Sequence, residues 1–138
     1  MKVLMLNGSP RKDGCTYTAL GRIAEALKEN GIESEIFPAG DPALENVKDA
    51  AEKMKEADAL IVGSPVYWAS PSGQIVEFMD KFCSIAGKDM LLKPAAAIAC
   101  KTCRYDSNTG CSLKIFFISP DAGCFFELLE YGSWQHTG

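Results

Sequence analysis

The chain has no apolar run long enough to span a bilayer, no cluster of basic residues, no internal repeat and no low-complexity linker. The first absence excludes a membrane-spanning helix, which needs about 20 consecutive apolar residues. The opening Met1-Lys2-Val3-Leu4-Met5-Leu6 is also too short an apolar run for a signal peptide, and polar loop chemistry follows it at once. The missing basic cluster, together with a net charge of -4, argues against nonspecific nucleic-acid binding and for a soluble cytoplasmic protein. Two phosphate-binding signatures are absent as well. No Gly-x-x-x-x-Gly-Lys runs into Ser or Thr, so a triphosphate P-loop is unsupported, and Gly8 and Gly14 do not make a dinucleotide fingerprint. What remains is an ordinary globular composition, 47% hydrophobic and 23% charged, in 138 residues. That is one domain by length, large enough for a core but short for a complete five-stranded doubly wound sheet.

Two loops carry the chemistry. The aliphatic run Val3-Leu4-Met5-Leu6 fits a buried parallel strand, and Leu20, Ile23, Ala24 and Leu27 recur at helical spacing before Asn30-Gly31 stops the helix. Between them Asn7-Gly8-Ser9-Pro10-Arg11-Lys12-Asp13-Gly14-Cys15-Thr16 joins strand to helix. Unpaired N–H groups at the helix start, the hydroxyls of Ser9, Thr16 and Thr18 and the charged fork of Arg11 suit a phosphate monoester. An ordinary strand-to-helix loop is the alternative. The second loop follows the buried run Ala59-Leu60-Ile61-Val62-Gly63. It reads Ser64-Pro65-Val66-Tyr67-Trp68-Ala69-Ser70-Pro71-Ser72-Gly73 and leads into a helical pattern of Ile75, Met79, Phe82 and Ala86. In a doubly wound sheet both loops lie at the edge where ligands bind. There Tyr67 and Trp68 can border a flat ring, whereas the alternative has Trp68 capping the core or a subunit interface.

The remaining elements alternate. Ile32 to Phe37 reads as an edge strand, Asp41-Pro42 as the start of a helix with the stripe Val47, Ala51 and Met54, and Ala95 to Cys100 as a fourth buried strand with small side chains. Cys83 falls beside Met79 and Ala86 and reads as a small core residue. Alternating strands and helices with right-handed crossovers predict an α/β, three-layer α/β/α sandwich.

At this point the sequence resembles a known family. Asn7-Gly8-Ser9-Pro10-Arg11, then Thr16, then Gly63-Ser64-Pro65-Val66-Tyr67-Trp68 and Ser72-Gly73 are similar to the flavodoxin-like NADPH-dependent FMN reductases over residues 1 to about 100. The resemblance implies a parallel sheet of order 2-1-3-4-5 and FMN as cofactor, with NADPH as co-substrate. Its phosphate would be held by Ser9, Arg11, Thr16 and Thr18, and its ring system bordered by Pro65, Val66, Tyr67 and Trp68. Many members carry Asn where this chain has Cys15, which puts one phosphate or ribityl contact at that position in doubt. The implied activity is hydride transfer from NADPH to FMN and on to a small-molecule acceptor such as a quinone, a flavin or a metal complex. The flavin carries that chemistry, so no catalytic acid–base pair is required. No nucleic acid or membrane partner is implied, and a homodimer is consistent with such relatives. A flavodoxin-type FMN-binding electron carrier and a flavin-free remnant are the other readings.

After Cys100 the pattern breaks. Thirty-eight residues follow, and they lack the third loop, helix, fifth strand and final helix of a flavodoxin-like chain. Cys100-x-x-Cys103 with Cys111 and Cys124 could furnish four thiolates to a metal. The genetic code offers a better reading. In suitable synonymous codons, Lys101 to Asp106 moved by one base reads Arg-Arg-Ala-Gly-Thr, similar to the family's third loop. Pro120 to Thr137 in the same shifted frame reads Gln-Met-Pro-Val-Val-Ser-Ser-Asn-Tyr-Trp-Asn-Met-Val-His-Gly-Asn-Thr, similar to its fifth strand and following loop. Only third positions are largely free in this exercise, so two such segments in one frame are not expected by chance. The expectation is therefore an incomplete FMN-binding domain over 1–100, with its fifth strand missing or replaced, and an out-of-frame tail over 101–138. On this reading the tail's three cysteines and His136 are accidents of frame, no metal is bound, and FMN binding by this polypeptide is weak.

Overall fold

A computed structural model describes residues 1–68, 70–101, 110–118 and 129–135. In chain order the elements are β1 (Lys2–Asn7), α1 (Cys15–Glu29), β2 (Glu33–Pro38), α2 (Leu44–Glu56), β3 (Ala59–Tyr67), β4 (Ser70–Pro71), α3 (Gly73–Ala86), β5 (Ala95–Lys101), β6 (Gly110–Ile118) and β7 (Leu129–Gln135). The main sheet runs β2-β1-β3-β5-β6-β7, with β4 paired only to β3. β2, β1, β3 and β5 are mutually parallel and reproduce the first four places of the predicted 2-1-3-4-5 order.

The fifth place is filled by a strand of opposite sense. β6 runs antiparallel to β5 from Ala95 opposite Ile118 to Lys101 opposite Ser112, and β7 is antiparallel to β6. The replacement of the parallel fifth strand thus takes a definite form. Of the two expectations, a missing or a replaced fifth strand, the structure has the second: β6 pairs with the edge of β5 that would otherwise present a row of unpaired N–H and C=O groups. Cys103, Cys124 and His136 lie outside the described residues.

The layers follow from the alternation of side chains on the strands. Leu4 and Leu6 of β1 and Leu60 of β3 face one side, where they meet Val47, Ala50, Ala51 and Met54 of α2 and Ile75, Phe78, Phe82 and Ala86 of α3. Val3, Met5, Ala59 and Ile98 face the other and pack with Leu20 of α1. Burying each large aliphatic or aromatic side chain in these clusters contributes roughly 1.5–3 kcal/mol. Phe78 sits at the centre of the larger cluster, its ring 6.0 Å from that of Phe82 and 6.5 Å from that of Phe37 on β2.

The helix ends show how local sequence sets the boundaries. α1 stops where expected: the Asn30 amide donates to the Ala26 carbonyl at 2.8 Å, and Gly31 takes the left-handed φ of 72°. α2 starts later than Asp41-Pro42 predicts, with Ala43 as its N-cap. The Asp41 carboxylate instead accepts from the Ala43 N–H at 3.0 Å, which spends it on a turn before the helix. Cys83 is another correction, because it is exposed. The buried stripe of α3 runs through Ile75, Phe78, Phe82 and Ala86, and one residue past Phe82 turns about 100° away from it. Partial burial and the nearby Asp80 carboxylate push the Cys83 thiol up from its ordinary value.

Gly21 lies inside α1, and a Cβ built there meets nothing within 4 Å. Gly21→Ala is therefore expected to stabilise the fold by about 0.5–1 kcal/mol through helix propensity alone. A urea midpoint equal to or below that of the parent chain would show that the site resists the change.

Candidate functional site

Both loops singled out in the sequence leave the C-terminal ends of adjacent strands. Asn7 of β1 is paired with Gly63 of β3, and one residue later the Gly8 N–H donates to the Gly63 carbonyl at 2.7 Å. The loops thus start from a shared backbone contact. A side chain at Gly8 would destroy it, since a Cβ there would lie 2.8 Å from the Gly63 oxygen and from two carbons of Ile75.

The first loop folds on itself before entering α1. The Ser9 N–H donates to Asn7 Oδ1 at 3.1 Å, and the Arg11 N–H donates to Ser9 Oγ at 3.2 Å. The β2–α2 connection packs directly beneath, because a Cβ on Gly40 would stand 2.6 Å from the Ser9 carbonyl oxygen. Gly14 is the N-cap of α1, with no side-chain cap and no acidic residue in the first turn. The orphan N–H groups of this helix start are thus left to acceptors other than a cap or first-turn side chain, with Asp13 the carboxylate nearest in sequence.

The predicted phosphate ligands occupy distinct places on this loop. Ser9 is half-buried and Arg11 exposed at its crest; Cys15 is exposed at the first position of α1, and Thr16 is buried immediately behind it. Thr18 stands apart. Its hydroxyl donates to the Gly14 carbonyl at 3.2 Å, so in this arrangement its proton is committed to the helix backbone.

The second loop is a tight hairpin. Val66 pairs with Pro71 and Tyr67 with Ser70, which places Trp68 at the turn with a left-handed φ of 50°. That conformation is costly for a bulky side chain, and such strain concentrates at ligand clamps and switch regions. Trp68 is 101% exposed and Tyr67 47% exposed, while Pro65 and Val66 are half-buried. The exposure removes the alternative in which Trp68 caps the core. Sequence reasoning missed Ser64 and Ser72, which lie buried beneath the hairpin. The signals for Ser72 were its place in the family-like Ser72-Gly73 pair and directly before a helical pattern, where serine is a favoured cap.

The family profile described as NADPH-dependent FMN reductase matches residues 1–109, which include both loops. The chain belongs to that family. Among FMN reductase relatives, an iron-sulfur flavoprotein of Methanocaldococcus jannaschii is 34% identical over 99 residues, covering 59% of this chain and 51% of the relative. An FMN-dependent NADPH-azoreductase of Staphylococcus aureus is 32% identical over 96 residues, covering 58% and 51%. Of solved structures, the flavoenzyme NAD(P)H:(acceptor) oxidoreductase of Paracoccus denitrificans superposes with a TM-score of 0.57 at 27% identity, covering 71% of this chain and 59% of that one. The chain spans about half the length of the curated relatives it matches.

The residues of this FMN reductase-family chain fit a flavin phosphate by their donor set. A Cβ on Gly14 would stand 3.4 Å from Arg11 Cβ and 3.6 Å from Ser9 Oγ, which places Gly14 against both residues of the loop. The loop and helix start carry the Ser9 hydroxyl, the Arg11 side chain and uncapped helix N–H groups, donor types complementary to a phosphate dianion. Among the described residues no group of three or more His, Cys, Asp or Glu side chains could hold an ion, and Cys15, Cys83 and Cys100 lie on three separate elements. Among the described residues no helix is long and apolar enough to cross a membrane.

Proposed function

We propose that this chain is the FMN-binding part of an NAD(P)H-dependent oxidoreductase that transfers hydride from NADPH to FMN and electrons on to a small-molecule acceptor, a quinone, a flavin or a metal complex. The observation that carries the reading is the juxtaposition of an uncapped helix start and its polar loop with an exposed aromatic hairpin, joined at the Gly8–Gly63 hydrogen bond. FMN, when bound, supplies the hydride chemistry itself. Ser9, Arg11 and Thr16 then hold the phosphate together with the α1 N–H groups, with Cys15 at the helix start beside them. Pro65, Val66, Tyr67 and Trp68 border the ring and leave one face open to the reductant and acceptor.

The test is an anaerobic FMN titration followed by NADPH consumption with and without acceptor. Uptake with NADPH oxidation supports the reductase reading. FMN uptake without oxidation favours an electron carrier of flavodoxin type, and no uptake favours a flavin-free remnant. Arg11→Ala is expected to weaken FMN binding by about tenfold, the low end for a charge-assisted hydrogen bond because Arg11 is exposed. Unchanged affinity would remove Arg11 from the phosphate site.

We also propose that residues from about Lys101 onward are an out-of-frame reading of a longer reductase. Support comes from two family-like segments in one shifted frame and the change from parallel to antiparallel pairing at β6. Sequencing the encoding DNA from codon 95 in all three frames tests this. The polypeptide read in the restored frame is expected to bind FMN at least about tenfold more tightly than this one, because the third loop returns to the site. A homodimer in the cytoplasm is the proposed working form, supported by the exposed Tyr67 and Trp68 at the rim of the site. Sedimentation of the flavin-loaded protein decides the assembly.

A further inference from the structure

Ser72 lies 64 residues from Gly8 in sequence, yet its hydroxyl donates to the Gly8 carbonyl at 3.1 Å. The same oxygen accepts from the Ile75 N–H at 3.3 Å and so caps α3. Its backbone N–H donates to Ser64 Oγ at 3.1 Å, and Ser64 in turn donates to the Pro65 carbonyl at 2.8 Å. Adding the 2.7 Å bond from Gly8 N–H to the Gly63 carbonyl closes a circuit through the start of the phosphate loop, the start of the aromatic hairpin and the first turn of α3. Ser72 is fully buried and Ser64 nearly so, and both hydroxyls have their proton and an acceptor site in use.

The Gly8–Ser9 peptide is pinned from both sides. Its carbonyl is held by Ser72, and its N–H is held by Asn7 Oδ1 at 3.1 Å. Ser72 thereby keeps the Gly8 carbonyl dipole engaged at the α3 start. A helix cap alone needs only the bond to Ile75. The second bond reaches another loop, and it is in a buried setting where a lost partner leaves an unsatisfied carbonyl.

We propose that Ser72 is a positioning residue that fixes the distance and orientation between the phosphate loop and the ring hairpin, so that one ligand engages both. This rests on the flavin reading above. A ligand with both phosphate and ring gains from the fixed spacing, while a ligand with the ring alone does not, so the ratio of FMN to riboflavin affinity reports the role.

The experiment compares the full chain with its Ser72→Ala variant. Amide hydrogen exchange without ligand is read over residues 8–14, 63–72, the first turn of α3 at 73–75, and 76–86, and FMN and riboflavin are then titrated separately. Exchange is expected to rise about tenfold in both loops with 76–86 unchanged, and the FMN-to-riboflavin affinity ratio to fall about tenfold. Faster exchange confined to the first turn of α3, or FMN and riboflavin affinities falling in parallel, would overturn the proposal and leave a simple cap. Ser64→Ala keeps the Ser72 hydroxyl and removes the acceptor of its N–H; it carries the same exchange test if Ser72→Ala does not fold. A parent chain that takes up neither flavin defeats the functional reading, and the exchange result still decides the role of Ser72.

Discussion

Gly8→Ala is expected to destabilise the fold by about 2–3 kcal/mol and to abolish anion binding at the loop, an effect out of proportion to one methyl group. The added carbon would stand 2.8 Å from the Gly63 oxygen and 2.8 Å from both Cβ and Cγ1 of Ile75. Neither neighbour can give way cheaply. The Gly63 peptide lies in β3 between β1 and β5, and Ile75 is buried in the first turns of α3. The loop itself must therefore move, which stretches the Gly8–Gly63 hydrogen bond and pulls Gly8 away from Ser72. Urea unfolding and FMN titration of the same variant check the two halves of this expectation. Gly21→Ala, with open space around its Cβ, serves as the control of opposite sign. If both glycine variants lose stability equally, close approach is not what sets the Gly8 effect, since chain entropy alone favours alanine at either position.

The contrast between these glycines shows what sequence could and could not convey. Periodicity is a local property, and it located the stripes of α1, α2 and α3 and the four parallel strands within a residue or two, except that β3 runs on to Tyr67 as one arm of the hairpin. The two loops were legible for the same reason: glycine, hydroxyl and cation types crowd between a buried strand and an amphipathic helix. The Gly8–Ser72 contact was not, since it joins residues 64 apart through a hydroxyl whose nearby sequence advertises only a helix cap. Asp41 misled in the opposite direction, because its local capping signal is real but is spent on the Ala43 N–H before α2 begins. Cys83 was placed in the core by counting apolar neighbours. The phase of Phe78 and Phe82, the largest groups on α3, sets the buried direction and leaves the smaller thiol outside it. The pairing of β6 with β5 had no signal of its own kind, since an apolar cluster such as Ile115 to Ile118 does not declare its direction or its partner.

Phe78→Ala is expected to cost about 3–5 kcal/mol, the range for truncating a buried aromatic when its surroundings relax only partly. The ring is fully buried and is the common neighbour of Phe37 on β2 and Phe82 one turn along α3. Its loss opens a cavity where α2, α3 and the β2–β1–β3 face converge. Set against a typical domain stability of about 5–15 kcal/mol, this one substitution removes a large fraction of what holds the chain folded. The consequence reaches the site, because Phe78 anchors the helix whose first turn carries Ile75 and whose cap is Ser72. Phe78→Leu retains most of the volume and is expected to cost less than about 1.5 kcal/mol. Urea unfolding should show a lower midpoint with an unchanged slope for Phe78→Ala, and hydrogen exchange should rise over residues 8–14 as well as over α3. A stability loss with the exchange of the phosphate loop unaltered would separate the core from the site and restrict the link between them to the Ser72 hydroxyl alone.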